Sequence, residues 1–216
     1  MLFMAACLAG GPVINNAVIF IDGQNLYHSA KEAFGYTFPN YDALALSKKI
    51  CADNNWTLAG TRFYTGVPDS RDDPFWNKFW AQKLSVMGRQ GIVVFKRSLR
   101  YRRHRVKLPD GSEQAVLVGE EKGIDVRIAI DIIRSAHAKA YDVAVVFSQD
   151  QDLSEVAAEI RAIAREQARW IKIASAFPVS RTVRNPRGID KTDWIKFDRE
   201  FYDACIDRRD YLANAA

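Results

Sequence analysis

Four aspartates have the types and spacing that phosphate chemistry uses. Asp150 and Asp152 stand one residue apart in VVFSQDQDLSEV, just past the apolar run 143–147. Asp22 ends another apolar run, AVIFID, and Asp125 lies in EEKGIDVRIAID. Two unit charges about 4 Å apart repel by roughly 4 kcal/mol at an effective dielectric near 20. Carboxylates gathered at one place therefore need a compensating charge. Hard oxygen ligands suit Mg²⁺ or Mn²⁺, and one or two such ions serve phosphodiester cleavage. Local roles are open to each residue as well. Asp152 and Glu155 have the spacing of a capping box, Asp22-Gly23 is a common turn dipeptide, and Asn25 is a candidate helix cap. Asp125 suits the first turn of a helix dipole, while Asp131, six residues on, reads as a supporting or structural residue.

The elements that must position these carboxylates follow from periodicity. AVIFID, TLAGTRFYTG (57–66), GIVVFK (91–96), the run 143–147 and WIKIASAFP (170–178) are short, apolar and β-branched, as buried parallel strands are. Between them, LYHSAKEAF, YDALALSKKICAD, DPFWNKFWAQKLSVMG, KGIDVRIAIDIIRSAHAKA and LSEVAAEIRAIAREQ carry helical spacing, and DREFYDACIDRRDYL (198–212) reads as a closing helix. Strands alternating with helices imply an α/β fold with a mostly parallel sheet. Such sheets bind ligands beyond the carboxyl ends of their strands, where strand order reverses. Asp22 and Asp150 fall at such ends and meet if their strands are neighbours.

At 216 residues, with 48% hydrophobic and 26% charged content, the chain suits one globular domain. Its net charge of +5 favours polyanionic partners. Cys7, Cys51 and Cys205 are far apart and odd in number, which argues against a disulfide framework or a structural zinc site and fits a reducing cytoplasm. The uncharged N-terminus lacks a basic flank and is broken by Gly10-Gly11-Pro12 and Asn15-Asn16, so it reads as neither a membrane span nor a signal peptide. Residues 1–15 read as a loose leader and 16–216 as a single domain. Oligomeric state is open, a homo-oligomer included.

In order, AVIFIDGQNLY, EEKGIDVRIAID and VVFSQDQDLSEV resemble the three signature motifs of the NYN domain, a branch of the PIN-like ribonuclease superfamily, over about residues 16–177. The resemblance implies a twisted, mostly parallel sheet flanked by helices, an acidic metal site and RNA cleavage. Asp22 and Asn25 match the first motif, Asp125 the aspartate of KGxD, and Asp150 and Asp152 the pair written SGDxDF. It implies Asp22, Asn25, Asp125, Asp150 and Asp152 as catalytic residues, the four aspartates holding Mg²⁺ or Mn²⁺, and water attack leaving 3′-hydroxyl and 5′-phosphate ends. Gln149 stands where glycine is usual, Gln151 where a small residue is usual and Leu153 where phenylalanine is usual. A side chain at 149 is expected to crowd the backbone or the substrate. Every acidic position survives, which favours activity over an inactive RNA-binding or regulatory module.

The most basic stretch, KRSLRYRRHRVKLPDG, reads as a β-hairpin insertion over 96–118 turning at Pro109-Asp110-Gly111. Alternation puts Arg100, Arg102 and His104 on one side and Tyr101, Arg103 and Arg105 on the other. Lys96, Arg97, Arg100, Arg102, Arg103, Arg105 and Lys107 are the candidate phosphate contacts on RNA, with Tyr101 placed to stack on an unpaired base. A solvated hairpin is the plainer alternative. SRTVRNPRG (180–188) is a second basic, loop-like stretch. Phe75, Trp76, Phe79 and Trp80, three and four residues apart, read as core rather than as a stacking platform. His28 and His137 have no partner spacing that suggests a metal site or a nucleophile. No GxGxxG follows the first strand, which argues against a nucleotide-dependent dehydrogenase.

Overall fold

The computed structural model describes residues 15–107, 111–181, 183 and 186–213. Six strands form one parallel sheet: β1 (Asn16–Asp22), β2 (Thr57–Val67), β3 (Val93–Ser98), β6 (Val143–Phe147), β7 (Lys172–Pro178) and β8 (Asp193–Phe197). Their order is β3-β2-β1-β6-β7-β8. Between β3 and β6, β4 (Arg100–Lys107) and β5 (Glu113–Glu120) pair into a separate antiparallel hairpin. Among the described residues, six α-helices complete the fold: α1 (Gly23–Phe34), α2 (Ala43–Asp53), α3 (Pro74–Arg89), α4 (Ile124–His137), α5 (Ser154–Glu166) and α6 (Arg199–Asp203). None of the described helices is long and apolar enough to cross a membrane.

Strand alternation divides the core in two. Ala17, Ile19 and Ile21 of β1, with Val143, Val145 and Phe147 of β6, face one way into a cluster with α1, α2 and α3. Val18 and Phe20, with Ala144 and Val146, face the other way against α4 and α5. Both central strands are therefore apolar on both faces, which is why they read as continuous hydrophobic runs. The same alternation carries Asp22 to the α4 side of the sheet.

The chain lays down β1, β2 and β3 in one direction, then returns to the opposite side of β1 with β6. Strand order thus reverses between β1 and β6, which pair in parallel with Ile21 opposite Phe147. That is the switch point at which open α/β sheets bind ligands.

Several boundaries differ from the sequence expectations. Lys96 and Arg97 belong to edge strand β3, opposite Thr65 and Gly66, so the hairpin proper begins at Arg100. Its turn at Pro109-Asp110 lies outside the described residues. The closing helix expected over 198–212 is helical only over Arg199–Asp203. Its remainder is held by local contacts, Tyr211 and Arg209 on Asp207 among them, which replace a helical ladder. Strand β8 was not expected, because only Phe197 of its five residues is fully buried and no apolar run marks it. The leader proposed over 1–15 lies outside the described residues except for Asn15.

Candidate active site

Asp22 ends β1 and caps α1 in the same stroke, accepting the backbone N–H of Asn25 at 3.0 Å. Helix α1 starts at once because residue 23 is glycine. A Cβ there would sit 2.5 Å from the Phe63 ring and 3.0 Å from the Tyr64 carbonyl. Asn25 is consequently a first-turn residue and not the cap. Its Oδ1 accepts the backbone N–H of Gln149 at 3.0 Å.

Past β6, Asp150 caps a single 3-10 turn over Gln151–Leu153 by accepting the backbone N–H of Asp152 at 3.0 Å. The capping role expected of Asp152 thus belongs to Asp150, and α5 starts without a side-chain cap. On α4, Gly123 precedes the first residue in the left-handed region, at φ 71°. A Cβ there would lie 2.6 Å from Nη1 of Arg97, which donates to the Lys122 carbonyl at 3.3 Å. The Lys-Gly turn before Asp125 is therefore pinned from the foot of the hairpin.

These constraints bring Asp22, Asp125 and Asp150 to one cavity of about 240 Å³, with Lys122 and Gly123 in its wall. A fourth carboxylate, Glu121, lines it as well. Sequence reading missed Glu121, although it lies inside the quoted EEKGID. The signal was strand alternation. Glu120 ends β5 facing Arg102 (3.6 Å), His104 (3.0 Å) and Lys122 (3.4 Å), so Glu121 must turn the opposite way. There it accepts the backbone N–H of Gly66. Asp152 is exposed and does not line the cavity.

Electrostatics mark the cavity as short of positive charge. Burial pushes Asp22 from an ordinary 3.8 up to about 6; the charges of Asp150 and Asp125 add to it, and the backbone N–H bonds of Asn25 and Gln24 oppose it. Glu121 is pushed from 4.5 to about 8 by burial first, then by the charge of Asp22 and, less, of Asp125, against the Gly66 bond. Among the described residues, no three His, Cys, Asp or Glu side chains converge into a ready cage for an ion. Four carboxylates on one cavity, with the Lys122 ammonium turned to Glu120 at 3.4 Å, nonetheless fit a hard divalent ion held partly through water, as Mg²⁺ usually is.

Asp131 is not part of this cavity. It is buried and accepts Tyr64 Oη and Arg127 Nε, each at 3.0 Å, which makes it the anchor of α4 against β2. His137 lies at the far end of α4. Leu153 is buried in the α4–α5 core.

The chain carries the NYN domain signature over residues 16–172. It belongs to the NYN domain family. This is a PIN-like nuclease family, and the six-stranded parallel sheet agrees with it. Among solved structures, a protein of unknown function, VPA0982, from Vibrio parahaemolyticus is similar at 20% identity with a TM-score of 0.52, covering 89% of this chain and 98% of that one. Acinetobacter baumannii MurG matches at 11% identity and a TM-score of 0.31, covering 84% of this chain and 45% of that one. No curated protein matches this sequence.

The departures from the NYN motif prove to have partners. Gln149 donates through Nε2 to the Arg187 carbonyl at 2.7 Å. Gln151 donates to the Gly188 carbonyl at 3.0 Å and accepts the Asp190 N–H at 3.2 Å. Neither glutamine lines the acidic cavity. The crowding expected of Gln149 is absent at the cavity, because its side chain reaches out to the 187–190 loop.

The basic hairpin projects exposed Arg100, Arg102, Arg103, Arg105 and Lys107, while Tyr101 is half-buried. Arg102 and His104 meet on Glu120, as one shared face requires. Lys96 and Arg97 are exposed on β3 beside the cavity wall.

Proposed function

We propose that this chain is a metal-dependent endoribonuclease whose reaction centre is the cavity at the β1–β6 switch point. The observation that carries this reading is the placement of Asp22 and Asp150 at the carboxyl ends of adjacent parallel strands, with Glu121 and Asp125 lining the same cavity. Asp22, Glu121, Asp125 and Asp150 would hold Mg²⁺ or Mn²⁺, one or two directly and the others through water. Asp152 stays outside this set. When bound, the cation lowers the pKa of a water and offsets charge on the scissile phosphate.

The protein's own part is positional. Asn25 keeps the ends of β1 and β6 in register, and Arg97 fixes the Lys-Gly turn that presents Asp125. The hairpin arginines hold the phosphate backbone across the cavity mouth. A water oxygen forms its bond to phosphorus in line with the departing 3′ oxygen, and a carboxylate of the set accepts its proton. The phosphorus–O3′ bond breaks and the departing O3′ takes a proton from solvent water, leaving 3′-hydroxyl and 5′-phosphate ends. Products bearing 2′,3′-cyclic phosphate would refute this route, because they need the ribose hydroxyl as nucleophile.

The test is cleavage of labelled single-stranded RNA and its DNA counterpart with Mn²⁺, Mg²⁺ or EDTA, using wild type beside folded Asp22→Asn and Asp150→Asn. Metal-dependent cleavage lost in both variants supports the reading. RNA that is bound but stays intact under every condition overturns it in favour of a non-catalytic binding module.

A further inference from the structure

A second recess lies beside the acidic one and differs from it in chemistry. It has a volume of about 250 Å³, below the roughly 300–1,000 Å³ of sites for drug-sized ligands. Tyr27 and His28 from α1 and Trp76 and Trp80 from α3 wall it, over buried Pro39. The two recesses share their partition. Gly23 lines this one and Asp22 the acidic one; Gly119 lines this one and Glu121, two residues on, the other.

Its walls are held in place. Tyr27 donates its hydroxyl to the Thr37 carbonyl at 3.0 Å, and its ring lies 5.1 Å from that of His28. Trp76 packs on Phe38 at 4.9 Å and edge-on to Phe79 at 5.3 Å, while Trp80 is buried. Gln24 adds an amide to the lining, beside the imidazole of exposed His28. Among the described residues, no Lys, Arg, Asp or Glu side chain lines the recess, so it is not built for a phosphate or a cation. Flat aromatic walls with a few polar groups suit one neutral ring system.

We propose that this recess binds one unpaired nucleobase of the strand whose phosphate lies in the acidic cavity. Resting on the nuclease reading, this makes single-stranded or locally unpaired RNA the substrate class, since a base stacked in a duplex cannot enter. The aromatic walls supply sequence-tolerant stacking, as every base has a π-face. Gln24 and His28 are the groups able to bias the choice of base. The expectation that the α3 aromatics serve only the core therefore holds for Phe79; Phe75 is exposed, and Trp76 and Trp80 are packed in the core and also line the recess.

The test uses the full chain in EDTA with single-stranded RNA carrying 2-aminopurine at successive positions, the matching abasic strands and the corresponding duplex. Wild type should quench 2-aminopurine at one position and bind the strand abasic there roughly 5- to 100-fold more weakly. Trp76→Leu and His28→Ala should abolish or weaken that quench; His28 is exposed, so its variant keeps the fold. Equal affinity for abasic and intact strands, equal quenching by duplex, or no strand binding overturns the proposal. A strand that is quenched but never cut with any divalent ion supports the base site and refutes hydrolysis. Metal-dependent cleavage indifferent to abasic substitution at every position leaves hydrolysis standing and refutes the base site.

Discussion

The Oδ1 of Asn25 accepts the backbone N–H of Gln149 at 3.0 Å, tying the first turn of α1 to the end of β6 across the switch point. The Asn25 side chain, expected among the catalytic residues, thus links the strand ends that carry Asp22 and Asp150. Asn25→Ala leaves a partly buried N–H without its partner, at a cost of about 1–3 kcal/mol. Urea denaturation should show that loss together with reduced cleavage. Asn25→Asp keeps the acceptor and should recover much of the stability. Unchanged stability in Asn25→Ala would show that the bond contributes nothing.

Burial and neighbouring charge raise Asp22 to about 6 and Glu121 to about 8. A carboxyl whose folded pKa is raised binds its proton more tightly when folded. Its stability contribution is present below the unfolded pKa and is lost as pH rises toward the folded one. For Asp22 that window runs from about pH 4 to 6, and for Glu121 from about 4.5 to 8. At about 1.4 kcal/mol per unit, ionised Asp22 costs on the order of 2–3 kcal/mol. Metal-free Asp22→Asn should therefore melt higher than wild type at pH 7–8, with the gap closing toward pH 4. Mn²⁺ should raise wild type more than the variant. A variant less stable than wild type at pH 8 would refute this sign.

Both central strands and five of the six helices were legible because their apolar periodicity is strong and their burial complete on the expected faces. The aspartates were legible because Asp22 ends a strand, Asp150 follows one and Asp125 opens a helix. Glu121 was not, since its direction depends on where β5 stops. The cap at Asp150 was hidden by a 3-10 turn, which a capping-box spacing does not anticipate. Strand β8 buries only Phe197, with Ile195 partly covered on the same face, which is too short a signal to read as a strand.

Lys83 was also unreadable, because it looks like any polar residue of α3. It is fully buried, donating to the Tyr41 carbonyl at 2.8 Å and pairing with Asp207 at 3.1 Å, and burial holds its pKa below the ordinary lysine value. Tyr41 in turn donates its hydroxyl to the Gly23 carbonyl at 2.9 Å, so the C-terminal tail is braced against the start of α1. Lys83→Met removes one partner of a buried pair and should destabilise by about 3–5 kcal/mol in thermal or urea unfolding. A loss below about 1 kcal/mol would mean that Tyr211 and Arg209 alone satisfy Asp207.

The hairpin bears on affinity rather than chemistry. A two-stranded hairpin outside the main sheet has little core of its own, and its exposed arginines do not line the acidic cavity. Removing Arg100 and Arg103 together should weaken binding of single-stranded RNA across sequences. The slope of log K against log salt should fall by about 0.7 for each phosphate that is no longer neutralised. Single-turnover cleavage at saturating protein should change little. An unaltered salt slope would place the strand elsewhere.

Gln149 and Gln151 reach the same loop from opposite sides of Asp150, one holding the Arg187 carbonyl and the other holding Gly188 and Asp190. Gly188 cannot shift freely beneath them, since a Cβ there would already lie 2.6 Å from the Phe177 ring and 2.7 Å from that of Trp194. The glutamines therefore add three side-chain bonds to a loop that is otherwise held at Ile189 by Thr192 and Trp194. Gln149→Gly with Gln151→Ala removes three hydrogen bonds to this loop, each worth about 0.5–1.5 kcal/mol, and leaves it held by buried Ile189 in the α4–α5 core. Limited trypsin digestion should cut faster at Arg187, while the midpoint for unfolding the sheet moves by less than the bonds removed. The variant should retain metal-dependent cleavage, because neither side chain lines the acidic cavity. Loss of cleavage with unchanged trypsin sensitivity would instead assign the glutamines to the reaction centre itself.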